Sequence, residues 1–418
     1  MSRSLAATMR RSLAGVLLVP LLLGVRCNPD VDWADVEVVL RTVQGNSTSP
    51  AATAEVEARI AAVESGLRAT RHATETYDLA DRMAERGLAG VSIAIVHHGR
   101  IEWAKAYGST GAGGGEALHF LTRFQAASIS KPTTAMAVLS LSEAGLVDLD
   151  ADVNDALVSW QVPENDLTAQ SAPTVRQILS HTGGFNVPSF LGYLGVAVPT
   201  LLEVLDGLPP AMEPAIRVAS LPGAGYAYSG GGFTVLQQLV EDATGQPFGE
   251  VVRERVLAPL GMLRSGFDQP LPADEPWSAQ AHIFGFPLGV PAAVYPQRAA
   301  AGLWTTPMDL ARLVIGFQAA LAGEPGGFLS QAIAQEAVQL HWFGMGLGWF
   351  LDPFVAPLWF WHSGLNVGFT SVVFGRIAGG DGAVIMANDM GNGADATILE
   401  LTHAIANAYG WWDLPQVY

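Results

Sequence analysis

From Ala51 onward the apolar residues Val56, Ile60, Val63 and Leu67 recur at helical spacing, and a second helical stretch runs to about Gly87. Two alternating runs follow, Val91–Val96 and Ile101–Tyr107, around the polar His97-His98-Gly99-Arg100, and this pattern predicts a β-hairpin. A helix opening near Ser128 should end near Gly145. Beyond it the chain is loop-rich and helical, with few strand signals, until about Leu340. Strand patterns return at Gly346–Phe350, Leu358–His362, Phe369–Phe374 and Ala383–Asn388, before a C-terminal helix over Ala394–Tyr409. This order predicts an α+β fold, an antiparallel β-sheet flanked by helices with an inserted, mostly helical lobe.

The ends of the chain read differently from its middle. Residues 1–27 have a basic start at Arg3, Arg10 and Arg11, then an apolar run from Leu13 to Val25 interrupted by Pro20. That run is short for a membrane span and reads as a signal peptide, or, if uncleaved, as a membrane anchor. Cys27 stands where a bacterial lipoprotein carries its lipid, but it follows Arg26 rather than a small residue. The expectation is an exported protein, periplasmic or extracellular, whose N-terminus is its only candidate for membrane attachment. Residues 28–72 read as a helical extension and linker, broken at Gly45-Asn46-Ser47-Thr48-Ser49-Pro50. Residues 73–410 form the main domain, with the helical lobe at about 146–340, and 411–418 read as a tail.

Composition narrows the function. At 418 residues, 50% hydrophobic and 15% charged, the chain can bury a large core and should form two structural lobes. A net charge of −17 and a pI near 4.8 leave no basic face for phosphates, so no nucleic-acid partner is expected. The single cysteine rules out an internal disulfide. Gly111 and Gly113–Gly115 are followed by Glu116-Ala117-Leu118-His119 rather than Lys-Ser/Thr, so they read as a flexible loop and not a phosphate cradle.

The chemistry begins at Phe124-Gln-Ala-Ala-Ser128-Ile129-Ser130-Lys131. A helix opening at Ser128 carries Lys131 one turn along on the same face. Of the 22 basic residues only Lys105 and Lys131 are lysines, so a chain that otherwise uses arginine has kept a lysine here. Arginine cannot give up its proton, whereas a desolvated lysine can, and only a neutral amine can accept one from serine. The plainer alternative is a helix cap followed by a solvated lysine.

Two further clusters lie downstream. Tyr228 and Ser229 stand beside Gly230-Gly231-Gly232, and Trp361-His362-Ser363-Gly364-Leu365-Asn366 falls in an expected strand. Ser-x-x-Lys, Ser-Asp-Asn and Lys-Thr-Gly form the motif set of active-site-serine beta-lactamases and penicillin-binding proteins. With three elements in that order, this chain resembles the branch holding class C beta-lactamases, DD-carboxypeptidases, D-aminopeptidases and esterases. Gln177-Ile-Leu-Ser-His181-Thr-Gly-Gly-Phe185 and Gly302-Leu-Trp-Thr-Thr-Pro-Met-Asp-Leu310 resemble two more segments of that superfamily, and the likeness covers about Ala73 to Gly410.

The resemblance implies Ser128 as nucleophile, Lys131 as first proton acceptor, and Tyr228 as the relay to the leaving group and later to water. It places His362 where the third motif usually has lysine, and makes the backbone N–H groups of Ser128 and Leu365 the oxyanion hole. Gly230, Ser363, Gly364 and Leu365 would border the substrate. Two departures stand out: Gly230 replaces an asparagine that binds the substrate's amide, and His362-Ser363-Gly364 replaces Lys-Thr-Gly. The reading is therefore an exported serine hydrolase cleaving a small ester, amide or peptide through an acyl-enzyme, with no cofactor. The alternatives are a penicillin-sensitive DD-carboxypeptidase or class C-like beta-lactamase, and, in another class, a non-catalytic binder of cell-wall peptide or penicillin.

His181 reads as a brace for a turn, and His97 and His98 as marks of the hairpin. His72, His119, His282, His341 and His403 have no metal-ligand spacing, so no metal is expected. The aromatic stretch Trp342–Trp361 reads as core and sheet packing rather than as a cleft lining.

Overall fold

The computed structural model describes residues 54–417 except 112–114, 273–274, 276, 326, 353 and 355–357. The leader at 1–27, Cys27 and the linker at 45–50 lie outside the described residues. In chain order, helices α1 (Ala54–Glu64) and α2 (Leu79–Arg86) lead into strands β1 (Gly90–His97) and β2 (Arg100–Gly108). Strand β3 (Phe124–Gln125) and a 3-10 turn at Ala127–Ile129 open helix α3 (Ser130–Glu143). The insertion holds α4 (Val175–Leu179), α5 (Leu201–Asp206), α6 (Gly230–Thr244) and α7 (Phe248–Val252). It continues through the ribbon of β4 (His282–Ile283) and β5 (Phe286–Pro287), then α8 (Arg298–Ala301), β6 (Trp304–Thr305), α9 (Pro307–Ala322) and α10 (Gln331–Ala337). Strands β7 (Phe350–Leu351), β8 (Trp359–Asn366), β9 (Phe369–Arg376) and β10 (Gly382–Ala387) precede the closing helix α11 (Asn392–Tyr409).

The main sheet has the order β2-β1-β10-β9-β8-β7, and every pairing in it is antiparallel. Its central strands are covered on both faces. Val91, Ile93 and Ile95 of β1, Ile385 of β10 and Phe374 of β9 share one core with Val63 of α1 and Ile398, Leu401 and Ile405 of α11. The alternate residues face α9, which packs against β1 and β10. There the sheet must be thin: a Cβ at Gly375 would meet Val314 of α9 at 2.8 Å, and one at Gly382 would meet it at 3.0 Å. No helix among the described residues is long and apolar enough to cross a membrane.

The hairpin, the α3 stop at Gly145 (φ 71°) and the C-terminal helix stand where the hydrophobic pattern placed them. The expected strand at Gly346–Phe350 does not form. Only Phe350 and Leu351 pair, with Trp361 and Phe360, because Gly344 (φ 74°) and Gly348 (φ 81°) turn the chain ahead of them. Gly348 packs so tightly on α3 that a Cβ would lie 2.4 Å from that of Ala135. Two segments expected outside the domain lie in its core. Helix α1 buries Val56, Ile60 and Val63 in it, and the stretch after α11 buries Trp411, Leu414 and Val417. The reason is non-local: both cover the sheet face that α11 alone leaves open.

Trp411 packs against Trp359 (5.5 Å between centroids), Tyr409 (5.0 Å) and Phe374 (6.2 Å). Trp411→Ala should therefore destabilise the protein by about 3 kcal/mol in urea unfolding. A loss below about 1 kcal/mol would return residues 411–417 to the status of a tail.

Candidate active site

Ser128 lies in the 3-10 turn ahead of α3, half-buried, while Ser130 beside it is fully buried. Ala127 before it takes φ +51°, a conformation that a residue with a side chain adopts only when its surroundings impose it. The surroundings are visible. Ala126 N–H donates to Leu303 O at 2.9 Å, and Ala126 O accepts from Ser371 Oγ of β9 at 3.0 Å. Ser130 Oγ donates to Ala127 O at 2.6 Å and accepts from Leu303 N at 3.0 Å. The turn is thus held by β9 on one side and by the segment before β6 on the other, and Ser130 is consumed in holding it.

Lys131 is 2% exposed and its ammonium group has two hydrogen-bond acceptors, Ser128 Oγ at 3.0 Å and Ala300 O of α8 at 2.9 Å. Neither is a carboxylate. The rings of Tyr228 and Phe233 lie 5.0 and 5.9 Å from Nζ. With its hydration removed and no anion in return, burial lowers the amine's pKa to about 7. The shift favours the neutral amine, which lies against the Ser128 hydroxyl.

Tyr228 reaches the same hydroxyl from the helical lobe and is hydrogen-bonded to Ser128. Burial raises its pKa well above the ordinary phenol value, more than the Ser128 bond lowers it, so the tyrosine is protonated at rest. Its ring is 4.2 Å from that of His181. His181 is buried with φ +55°, and its Nδ1 accepts from Ser229 N at 3.1 Å. The bond fixes the neutral tautomer with the proton on Nε2, and burial, with the Lys131 charge second, holds the pKa well below the ordinary histidine value. The brace reading is correct in kind, but what is braced includes the tyrosine ring.

Ser229 is also spent structurally. Its Oγ donates to Asn186 O at 2.6 Å and accepts from Gly232 N at 2.9 Å, which caps α6. Gly230, expected beside the substrate, is turned inward. Its N–H donates to Pro188 O at 3.0 Å, and a Cβ there would meet the Phe190 ring at 2.8 Å. It therefore offers a substrate neither side chain nor free N–H.

Strand β8 brings the third cluster alongside. Gly364 passes so close to the Ser128 turn that a Cβ would lie 2.3 Å from Ala126 O and 3.1 Å from the Ala127 Cβ. Only glycine permits that approach. Asn366 pins the far end, donating to Gln125 Oε1 at 2.9 Å and Ala301 O at 3.0 Å. Since β7 pairs only with Phe360 and Trp361, the β8 edge from His362 to Asn366 has no strand partner among the described residues. The half-buried Ser363 and exposed Leu365 lie on that edge.

His362 is 1% exposed, and its Nδ1 donates to Ser363 O at 2.6 Å, leaving Nε2 as an acceptor without a protein partner. Burial, with the nearby Lys131 charge second, lowers its pKa to about 3. It is a neutral imidazole, unlike a lysine at this place. Its ring lies tilted beside that of Phe350 (4.9 Å between centroids) and 6.3 Å from that of Tyr228. Ser128, Lys131, Tyr228 and His362 thus converge from α3, the start of α6 and β8.

The remaining histidines and the aromatic stretch lie apart or in the core. His97 donates through Nδ1 to Asp381 at 2.7 Å, and with His98 the three side chains bring candidate metal-binding atoms within 4.8 Å at the hairpin end. Trp349 and Trp359 are buried, whereas Phe343 and Phe354 are exposed. Asp309 of the Gly302–Leu310 segment is buried and structural, accepting from Arg264 N at 2.8 Å and Ser265 Oγ at 2.7 Å. The Ala300 carbonyl and Phe190 were beyond sequence reading, because a backbone acceptor and a loop phenylalanine carry no motif.

A sequence model of the family described as Beta-lactamase matches residues 78–408. Esterase EstB of Burkholderia gladioli is 33% identical over 198 residues, which are 44% of this chain and 48% of the esterase. Penicillin-binding protein 4 of Amycolatopsis lactamdurans is 28% identical over 181 residues, 43% of this chain and 45% of that protein. The matches thus span about half the length of these curated relatives. The octameric penicillin-binding protein homologue from Pyrococcus abyssi superimposes with a TM-score of 0.65 at 24% identity, over 79% of this chain and 76% of the other. EstCE1, a hydrolase with promiscuous acyltransferase activity, gives 0.65 at 20% identity over 84% and 98%. These two likenesses establish the shared fold, an antiparallel sheet with helices packed on it. With the family match covering most of the described chain, the conclusion is that the protein belongs to the beta-lactamase family.

Proposed function

We propose that this chain is an exported serine hydrolase that cleaves small esters lacking a recognised carboxylate, through an acyl-enzyme on Ser128. The observation that carries the reading is the Lys131 amine, 3.0 Å from Ser128 Oγ, buried without a carboxylate partner and with a pKa of about 7. In the forward step neutral Lys131 takes the Ser128 proton as Oγ bonds to the substrate carbonyl carbon. The carbonyl oxygen becomes an oxyanion, which the backbone N–H groups of Ser128 and Leu365 receive. Tyr228 gives its proton to the leaving alkoxide as the ester C–O bond breaks, and regains one from the Lys131 ammonium. A water then gives a proton to neutral Lys131 as its oxygen bonds to the acyl carbon, the bond from that carbon to Ser128 Oγ breaks, Oγ regains its proton through the same pair, and the acid leaves.

Support for an ester rather than a beta-lactam or a peptide with a free carboxylate comes from two positions. His362 is neutral, so it cannot supply the charge that a lysine there would. Gly230 has no side chain, and Phe190 fills the space one would take. An ester needs less help, because an alkoxide leaves with less protonation than an amide nitrogen. The relatives include an esterase, and a D-aminopeptidase from Brucella anthropi at 26% identity over 41% of this chain, so a small amide is the second reading.

Lys131→Arg keeps the charge but not the removable proton. Its kcat for a nitrophenyl ester should fall roughly a thousandfold, as far as that of Lys131→Ala. Retention of a tenth of wild-type turnover would remove lysine from the role of base. On one purified sample, with Ser128→Ala as blank, kcat/KM for a short-chain nitrophenyl ester should exceed that for a chromogenic cephalosporin by at least about tenfold, or about 1.4 kcal/mol. Cephalosporin turnover at or above the ester rate would make the protein a beta-lactamase despite Gly230 and His362.

A further inference from the structure

The segment after His181 has a composition unlike the rest of the chain. From Thr182 to Leu202 there is no charged residue, in a protein of net charge −17. Its course ties it to the catalytic site at two points. At one end Val187 O and Pro188 O accept from Gly231 N (2.9 Å) and Gly230 N (3.0 Å), and the Phe190 ring closes on Gly230, so the segment starts beside Tyr228 and Ser229. At the other end Tyr295 is the link. Its hydroxyl donates to Leu191 O at 3.2 Å and accepts at 3.0 Å from Val367 N, just past Leu365 on β8. Tyr193 is further fixed by a paired backbone bridge to Val294, at 2.8 and 3.0 Å. Gly192, at φ 72°, allows the Tyr295 ring to pass where a Cβ would lie 2.6 Å from Cζ. Residues 187–193 therefore form a strap between the tyrosine side of the site and the β8 side.

The strap buries Val187, Phe190 and Tyr193 and turns Leu191 outward. Leu191 is 70% exposed, and Leu194, Val196, Val198 and Leu202 after it are exposed as well. Single exposed apolar residues are ordinary, but five within twelve positions of an uncharged segment are not, and such a surface normally has an occupant. Because the strap joins the segment after Tyr228 to the end of β8, the occupant that the chemistry points to is the apolar part of the substrate.

We propose that the strap, with Leu191 at its centre, is the acyl-chain subsite, so that the enzyme prefers medium-chain over short-chain acyl esters. This rests on the ester reading above. An acyl chain leaving the Ser128-bound carbonyl along the strap covers Leu191 and its neighbours and loses its own hydration, which favours each added methylene.

The test is a series of nitrophenyl acetate, butyrate, hexanoate and octanoate on the full chain below their aggregation limits, with Ser128→Ala as blank. The expected result is kcat/KM rising at least tenfold from acetate to octanoate. Leu191→Ser, a change at an exposed side chain whose carbonyl bond is kept, should cut the octanoate-to-acetate ratio at least threefold. Trp412→Ser, exposed beyond α11, should leave the ratio as it is. A flat or falling series with acetate still hydrolysed overturns the subsite and leaves the ester reading standing. So does a ratio that Leu191→Ser does not move. Vesicle binding to phosphatidylcholine that Leu191→Ser abolishes, together with a flat series, gives the face to a lipid surface instead. No ester hydrolysed above the blank would overturn the ester reading and the subsite together.

Discussion

Burial of one amine without a counter-charge is the constraint on which the site depends. Charging Lys131 costs hydration that the protein does not return, since its neighbours are a hydroxyl, a carbonyl and two aromatic faces. A carboxylate at the same place would stabilise the ammonium and abolish the base. The buried Asp309 shows that the fold can hold an acid in its interior, but there it is occupied by Arg264 N and Ser265 Oγ. Tyr228 and His362 are governed by the same dryness in opposite senses. Burial keeps the phenol protonated and the imidazole uncharged, so beside the amine of lowered pKa the cleft holds a phenol donor and an imidazole acceptor.

The architecture serves that dryness. Helix α3 is sealed by the turn at Gly348, and the carbonyl of Ala300 on α8 accepts a hydrogen bond from Lys131 Nζ. The sheet supplies the open side: Gly364 lets β8 approach the strained Ala127 turn, and Asn366 holds its end to β3 and α8. Replacing either glycine would push two elements apart beside the turn and helix that carry Ser128 and Lys131. Their positions along the chain are therefore as much a part of the chemistry as the side chains that react.

Much of this was legible in the sequence, for identifiable reasons. The hairpin is written in local alternation and the strands over 359–387 in short apolar runs, and the Ser128 to Lys131 spacing is a property of one helical turn. What failed depends on contacts between distant residues. Gly346–Phe350 has the apolar content of a strand but turns at Gly344 and Gly348, and Trp411 became core because the sheet face beside α11 was uncovered. Gly230 was read from the family pattern as a substrate contact, yet its surroundings are set by Phe190, forty residues away in the chain. His181 was placed correctly as a brace, while its contact with the Tyr228 ring could be seen only once the two loops were folded together.

The central claim is that Lys131 is a base at neutral pH, and the chain permits a direct reading because it has only two lysines, Lys105 and Lys131. Protein labelled with 13C-lysine should give two Cε signals, assigned with Lys105→Arg, and each can be followed from pH 5 to 10. The Lys131 signal should titrate with a midpoint at about 7. A midpoint above about 9, close to that of an ordinary lysine, would mean that the amine stays charged in the site and that Ser128 owes its activation to another group.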